Sequence, residues 1–349
     1  MRIIIFCLAL ISVSLPAFGA VQGAYHHRFA LEGDFLLWKR AKSLHKSLVQ
    51  AAGGPPIVLI PNPGGGGLIP IIPQIDFPSG CAKEVGKTLI DSQDLVKDMH
   101  FQPGVRISAK LFYNIHSTWV LSYTGFLNWK GQDKIHCPMN LNLPGQLGQD
   151  SKDYHYADRA NAIYRSDFYT VDLTYWRHVT PRYTDHFSVS WMIGLRFFDL
   201  DEKIKLHFTK HHQTSSYRVK TYNRAFGPFF GGDIEYNPYR FLTWGLAGNI
   251  GGVFNRGKQK TLMRDDDNTI VVRDYDPSGS NFGYFAYIYP FIEFPFVKFF
   301  TFRIGYEMLF IGRVALADHQ FDFHGTGDKL NHEGNIIYHG LFAGMQFNF

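Results

Sequence analysis

The chain has 349 residues, 45% hydrophobic and 16% aromatic, with 32 Phe and 19 Tyr. Its formal charge of +5 is spread along the chain, so no basic run suits a nucleic-acid groove. No 18-residue apolar run follows the N-terminal one, which excludes a bundle of transmembrane helices. Such richness in aromatics without long apolar runs fits a sheet that meets lipid on one face and carries aromatic girdles at its rims.

The N-terminus reads as an export signal over residues 1–19. Arg2 is followed by an apolar run over residues 3–15, and Ala17-Phe18-Gly19 offers small residues for cleavage after Gly19, with cleavage after Ala20 as the alternative. Cys7 lies in the apolar run without a lipobox. The mature chain, 20–349, is expected to be one domain.

Alternation with period two then predicts about ten strands. The first covers residues 29–39. The second, 104–115, sets Val105, Ile107, Ala109, Leu111 and Tyr113 against Arg106, Ser108, Lys110 and Asn114. The third, 118–130, sets Trp119, Leu121, Tyr123, Leu127 and Trp129 against Ser122, Thr124 and Asn128. A turn centred on Ser117 would place Lys110 opposite Thr124 and Arg106 opposite Asn128, polar against polar. Further strands are predicted over 163–179, 186–200, 224–236, 241–255, 282–294 and 299–313. The last runs from Ile337 to Phe349. A turn centred on Lys298 would place Glu293 opposite Arg303 and Phe291 opposite Gly305.

The connections alternate. Short ones fall near 117, at 180–185, at 237–240 and near 297–298. Long ones cover 40–103, 131–162, 209–216, 256–280 and 315–334. Outer-membrane barrels show this alternation, with short periplasmic turns, long extracellular loops and both termini periplasmic. The expected fold is therefore all-β: an antiparallel up-and-down transmembrane barrel of about ten strands. Twelve would follow if a strand pair lay within 51–99 or 315–334. The first long loop, 40–103, contains a Pro/Gly-rich segment, 53–80, which either enters the barrel mouth or packs against 83–99. Cys81 and Cys137 fall in predicted loops, and in an exported chain a disulfide between them is an open alternative.

Charges facing lipid would cost several kcal/mol at the midplane. The polar parity therefore makes Arg106, Lys110, Asp172, Arg196, Asp233, Glu235, Glu293, Arg303 and Glu307 candidate pore-lining residues, a constriction carrying both signs. Ten strands leave little room beyond side chains, so a wide channel would need more strands or several chains. Asp318 beside His319, the Asp265–Asp267 run and His211-His212 are acid–histidine candidates for water activation. None has the spacing of a defined catalytic or metal motif. No catalytic residue, cofactor or metal is assigned.

The spacing Gly344-x-x-Phe347-x-Phe349 resembles the terminal signal that outer-membrane proteins present to the barrel-assembly machinery, with Phe342 where that signal usually has a polar residue. Four segments resemble the beta-barrel porin family seven of bacterial outer membranes. They are Leu31-Glu32-Gly33-Asp34-Phe35-Leu36-Leu37-Trp38, Gly194-Leu195-Arg196-Phe197 with Glu202, Asn223-Arg224-Ala225-Phe226-Gly227, and Arg303-Ile304-Gly305-Tyr306 with Val314 and Gln320. The chain departs from that family at Lys39, where the family continues apolar, and lacks a proline between Val314 and Gln320. Porins of the chlamydial major-outer-membrane-protein type share a similar first strand. Either resemblance implies a pore and no catalytic residues.

The expected function is a narrow porin-like channel for ions or small solutes. A structural or surface-interaction barrel is the alternative, and an outer-membrane hydrolase ranks last. Expected partners are outer-membrane lipid, the assembly machinery and other copies of the chain, and no nucleic acid.

Overall fold

The computed structural model describes residues 28–349 except 42–45, 53–57, 62–67, 72–80, 82–83, 146, 148–150, 152, 181–185, 240, 266, 298 and 324–328. The export signal and most of the Pro/Gly-rich segment lie outside the described residues. The described strands, in chain order, are β1 (Phe29–Ala41), β2 (Ser47–Ala51), β3 (Val58–Pro61), β4 (Leu68–Ile71), β5 (Thr88–Asp91), β6 (Gln102–Asn114), β7 (Ser117–Asn142), β8 (Ala157–His178), β9 (Phe187–Lys210), β10 (Gln213–Tyr239), β11 (Leu242–Asp265), β12 (Ile270–Tyr275), β13 (Ser278–Val297), β14 (Phe300–Val314) and β15 (Gly334–Asn348). A short helix, α1 (Ser92–Lys97), follows β5.

Ten of these strands close on themselves in the order β7-β6-β1-β15-β14-β13-β11-β10-β9-β8, with β8 returning to β7, and every pair is antiparallel. The seam joins the two ends of the chain. Ala30 pairs with Asn348, and the Phe349 amide donates to the Phe29 carbonyl at 2.7 Å. A closed barrel leaves no edge strand and pairs every backbone group in the band, as crossing lipid requires.

Alternation along the strands makes the band. On β9 the outward residues Phe187, Val189, Trp191, Ile193, Leu195 and Phe197 are apolar and the last of them faces Phe226. Ten residues of strand span about 34 Å, or about 25 Å across a membrane at the usual tilt. Aromatics collect at its margins: Phe187 packs on Tyr236 at one end, and Phe254 on Phe282 at the other.

Several sequence expectations change. The loops predicted over 131–162, 209–216 and 256–280 are largely strand. β9 and β10 meet across a two-residue turn at His211-His212, both with positive φ. Alternation continues there with polar side chains outward, so the strands outrun the apolar band. The first hairpin is also in a different register. Its turn is Ile115-His116, with the Asn114 Oδ1 accepting from the His116 amide at 2.8 Å. Arg106 therefore faces Thr124, not Asn128, and Lys110 faces Val120, not Thr124. A bulge around Phe126, whose φ is +63°, then switches the parity of β7. Leu127 and Trp129 point into the barrel and Asn128 points out, the reverse of the expectation. The Lys298 hairpin keeps its expected register, with Glu293 opposite Arg303 and Phe291 opposite Gly305.

The first long connection contributes β2 to β5 and α1. The Asp91 side chain caps α1 by accepting from the Gln93 amide at 2.7 Å. The carbonyl of Leu95 approaches Gly131 of β7 so closely that a Cβ there would lie 1.8 Å from its oxygen. Cys81 is bridged to Cys137, with the two Cα atoms 5.7 Å apart. Cys137 lies within β7, not in a loop.

Candidate functional site

The even positions of β1, Glu32, Asp34, Leu36, Trp38 and Arg40, point into the barrel and are buried. They meet the inward cations of β6 and β14. Arg106 reaches Asp34 at 3.2 Å and Glu307 at 2.7 Å. Arg303 bridges Glu32 and also Asp34, the latter at 3.1 Å. Lys110 takes the other oxygen of Glu32 and donates to Gln346 at 2.6 Å. Glu307 also accepts from Trp38 Nε1 and from the Tyr287 hydroxyl. Three cations and three carboxylates thus form one network across the lumen.

A second pair lies on the facing wall. Arg196 and Asp172 make a two-pronged contact at 2.8 and 2.7 Å. The Arg196 guanidinium lies 4.4 Å from the centre of the Phe285 ring and 5.4 Å from that of Tyr287. Tyr287 touches both groups, so the two walls are linked through one ring. Geometry of this kind, planar guanidinium on carboxylate and ring, is what arginine supplies and lysine does not.

The structure therefore brings together Arg106, Lys110, Arg303 and Glu307, and separately Asp172 with Arg196. Asp233, Glu235 and Glu293 also point inward and are buried. Ser188 donates to Glu235 at 2.9 Å. Sequence reading missed Glu32, Asp34, Trp38 and Tyr287 as members of the site. The parity of β1 carried the signal, because one face reads Glu-Asp-Leu-Trp-Arg.

Toward the short-turn end these groups border a cavity of about 140 Å³. Lys110, Ser122, Asp172, His178 and Arg196 line it. The other end is closed by two layers. In the first, Tyr338 stacks between Trp129 at 4.9 Å and Phe168 at 4.8 Å, with Trp38 at 6.1 Å. In the second, Arg40 and Glu202 pair at 2.8 Å with no exposed side-chain surface. The Tyr164 hydroxyl and the Ala317 amide donate to Glu202 at 2.7 and 3.0 Å.

Ala317 belongs to the last long connection, which folds into the mouth. Ala315 and Asn223 exchange two hydrogen bonds, each of 2.8 Å. Phe321 packs edge-on to Tyr217 at 4.9 Å. This loop enters the barrel, whereas most of the Pro/Gly-rich segment, for which the sequence left open the mouth or packing against 83–99, lies outside the described residues.

The acid–histidine candidates are not assembled into one site among the described residues. Asp318 is fully buried in the entering loop, and its Oδ1 accepts from the His319 amide at 3.1 Å. The His211 amide donates to Asp158 at 2.9 Å, and the Thr214 amide to Asp267 at 3.1 Å. Asp265 accepts from the Asp153 amide at 3.2 Å. Asp266 lies outside the described residues. Among the described residues no group of three His, Cys, Asp or Glu side chains is placed to hold a metal ion.

No family model and no curated protein matches the chain. Among solved structures it is similar to the outer-membrane protease OmpT of Escherichia coli, at 7% identity and a TM-score of 0.46, over 94% of this chain and 99% of that one. It is also similar to the outer-membrane protein OprG of Pseudomonas aeruginosa, at 9% identity and a TM-score of 0.28, over 95% and 100%. A FadL homologue of the same organism gives 8% identity and a TM-score of 0.26, over 93% and 91%. Similarity this low leaves the argument to the strand register, which by itself closes a ten-stranded antiparallel barrel.

Proposed function

We propose that the chain is a bacterial outer-membrane barrel that passes small ions or solutes through a narrow lumen gated by its last long loop. An outward apolar band of about 25 Å supports the membrane placement. Short turns and both strand termini at one end support a periplasmic position for that end.

The charged network at mid-depth carries the reading of passage. Apolar side chains of similar volume would fill such a lumen without loss of stability, because buried ion pairs rarely repay their desolvation. A charged, partly open interior is what an ion or polar solute needs on its way through. The inward carboxylates Glu32, Asp34, Asp172, Asp233, Glu235, Glu293 and Glu307 outnumber Arg106, Lys110, Arg196 and Arg303, so the lumen should prefer cations.

A second reading, a surface barrel with no passage, is favoured by the Arg40–Glu202 pair, which is fully buried and hydrogen-bonded on several sides. Planar-bilayer recording separates the two. Conduction through a gated lumen gives small stepwise currents that grow when residues 315–323 are replaced by a Gly-Ser linker. A folded barrel silent in both forms supports the second reading.

A further inference from the structure

Above the apolar band the outer wall carries an ordered array of positive charge. Lys130 pairs with Arg165, Arg165 with Lys203, Lys203 with Lys220, and Lys220 with Lys260. These five residues lie on β7, β8, β9, β10 and β11, all on the outward parity. Strand spacing spreads them over about 19 Å in one lateral row. Directly above, Lys205 faces Arg218. None of the five makes a salt bridge with a described residue.

Because the strands tilt by about 40°, the row rises obliquely around the wall, and Lys203 fixes the height of its centre. On β9 the last apolar outward residue is Phe197, and Lys203 follows it by six residues, beyond the membrane-spanning part of the strand. Between them lie Asp199 and Asp201, with Asp167 beside Asp201. Asp199 and Asp167 have partners outside the row, although Arg165 also acts on Asp167, and Asp201 is half-buried beside Asp199 with its Oδ1 unpartnered. Tyr169 donates to Asp199 at 2.9 Å, Arg224 pairs with it at 3.4 Å, and Asn128 donates to Asp167. At the far end of the array Lys258 pairs with Asp276 at 2.9 Å. Next to Lys258 and Arg256, β13 carries only Ser278 and Ser280, so the array is one-sided.

Like charges this close repel. The Lys203 ammonium is held below the usual lysine range by burial and then by Lys220, Arg218 and Arg165. A counter-charge from outside the protein would remove that cost.

We propose that this row docks the phosphorylated headgroup of a membrane lipid, specifically a glycolipid bearing more than one phosphate in the leaflet at the long-loop end. The acyl chains would lie against Leu195, Phe197, Phe226 and Phe254, in the half of the band next to the row, and the phosphates would reach the row just above the band. A single phosphate meets at most two of the cations, so a headgroup with spaced phosphates gains most. The proposal rests on the membrane placement above.

The test uses the full-length folded barrel in phosphatidylcholine nanodiscs doped with bisphosphorylated diglucosamine lipid, with the same lipid stripped of phosphate, or with phosphatidylglycerol. Lipid retained after extraction is counted by native mass spectrometry. The wild type should retain the bisphosphorylated lipid, and R165Q/K203Q/K220Q should retain it roughly a hundredfold less at low salt. A control, K87Q/K97Q/R177Q, removes equal charge elsewhere and should retain it fully. Equal retention by the triple variant, or by the wild type of the dephosphorylated lipid, overturns the proposal. The dephosphorylated arm needs no variant, so it stands even if the triple variant misfolds. Equal retention of phosphatidylglycerol also overturns it, because one phosphate would then suffice. Labelling of H212C in intact cells checks the placement separately: an unlabelled H212C reverses the side of the membrane without altering the nanodisc result.

Discussion

Arg40 and Glu202 show how much a buried charge depends on its partner. Both side chains are fully enclosed, so removing one leaves the other uncompensated. Arg40→Ala should destabilise the folded barrel by about 3–5 kcal/mol, whereas Arg40→Met with Glu202→Leu should recover most of that loss. Urea unfolding of the refolded protein in detergent, followed by tryptophan fluorescence, measures both. A double variant no more stable than Arg40→Ala would contradict this view of the pair. Gly344 makes a related point at the seam, because a Cβ there would lie 1.8 Å from Asp34 Oδ1. Gly344→Val should displace Asp34 from Arg106 and Arg303 and lower the urea midpoint; an unchanged midpoint would count against a tight network. At this scale the sequence was partly legible. Its parity identified Arg106, Lys110, Arg303 and Glu307 as inward. It did not identify their partners, because contacts across a closed barrel depend on the curvature that sets β1 beside β6 and β15.

The elements were legible where alternation is unbroken. β9, β10 and β11 show the apolar outward residues expected of them. The expectation failed at β7, where one bulge exchanged the faces of Leu127, Asn128 and Trp129, and period two gives no warning of an inserted residue. It failed again in the long loops, where alternation persists with polar residues and reads as loop. The band makes its own prediction. Ile193 lies near its middle, so Ile193→Arg should cost about 2–4 kcal/mol, whereas Lys205→Ala on the same strand should cost little. Comparable losses from both in vesicle-refolded protein would place the lipid boundary elsewhere. The Cys81–Cys137 bridge closes a separation of 56 residues. In the chain-entropy view this is worth about 4 kcal/mol against the unfolded state. Cys81→Ser should lower the unfolding midpoint, and reductant should do the same to the wild type but nothing further to the variant.

For the whole molecule, ten strands make a lumen that side chains nearly fill. What remains is a cavity of about 140 Å³ on one side of an aromatic and ionic closure. Passage therefore requires the Ala315–Phe323 segment and the Tyr338 stack to move, and any open state should be narrow. The excess of inward carboxylates adds a sign to that state. Asp233→Asn with Glu235→Gln should reduce the cation preference measured by reversal potential, and a preference unmoved by both would place the ion path away from β10.

Lumen width is the claim on which the others depend, and swelling of proteoliposomes in solutes of graded size reads it directly. Wild-type vesicles should stay closed to a trisaccharide, and shortening the 315–323 segment together with Tyr338→Ala should admit a solute of glycine size while still excluding the trisaccharide. Wild-type vesicles that swell in the trisaccharide as fast as in glycine would show a wide aqueous channel and contradict the proposal of a side-chain-filled, gated barrel.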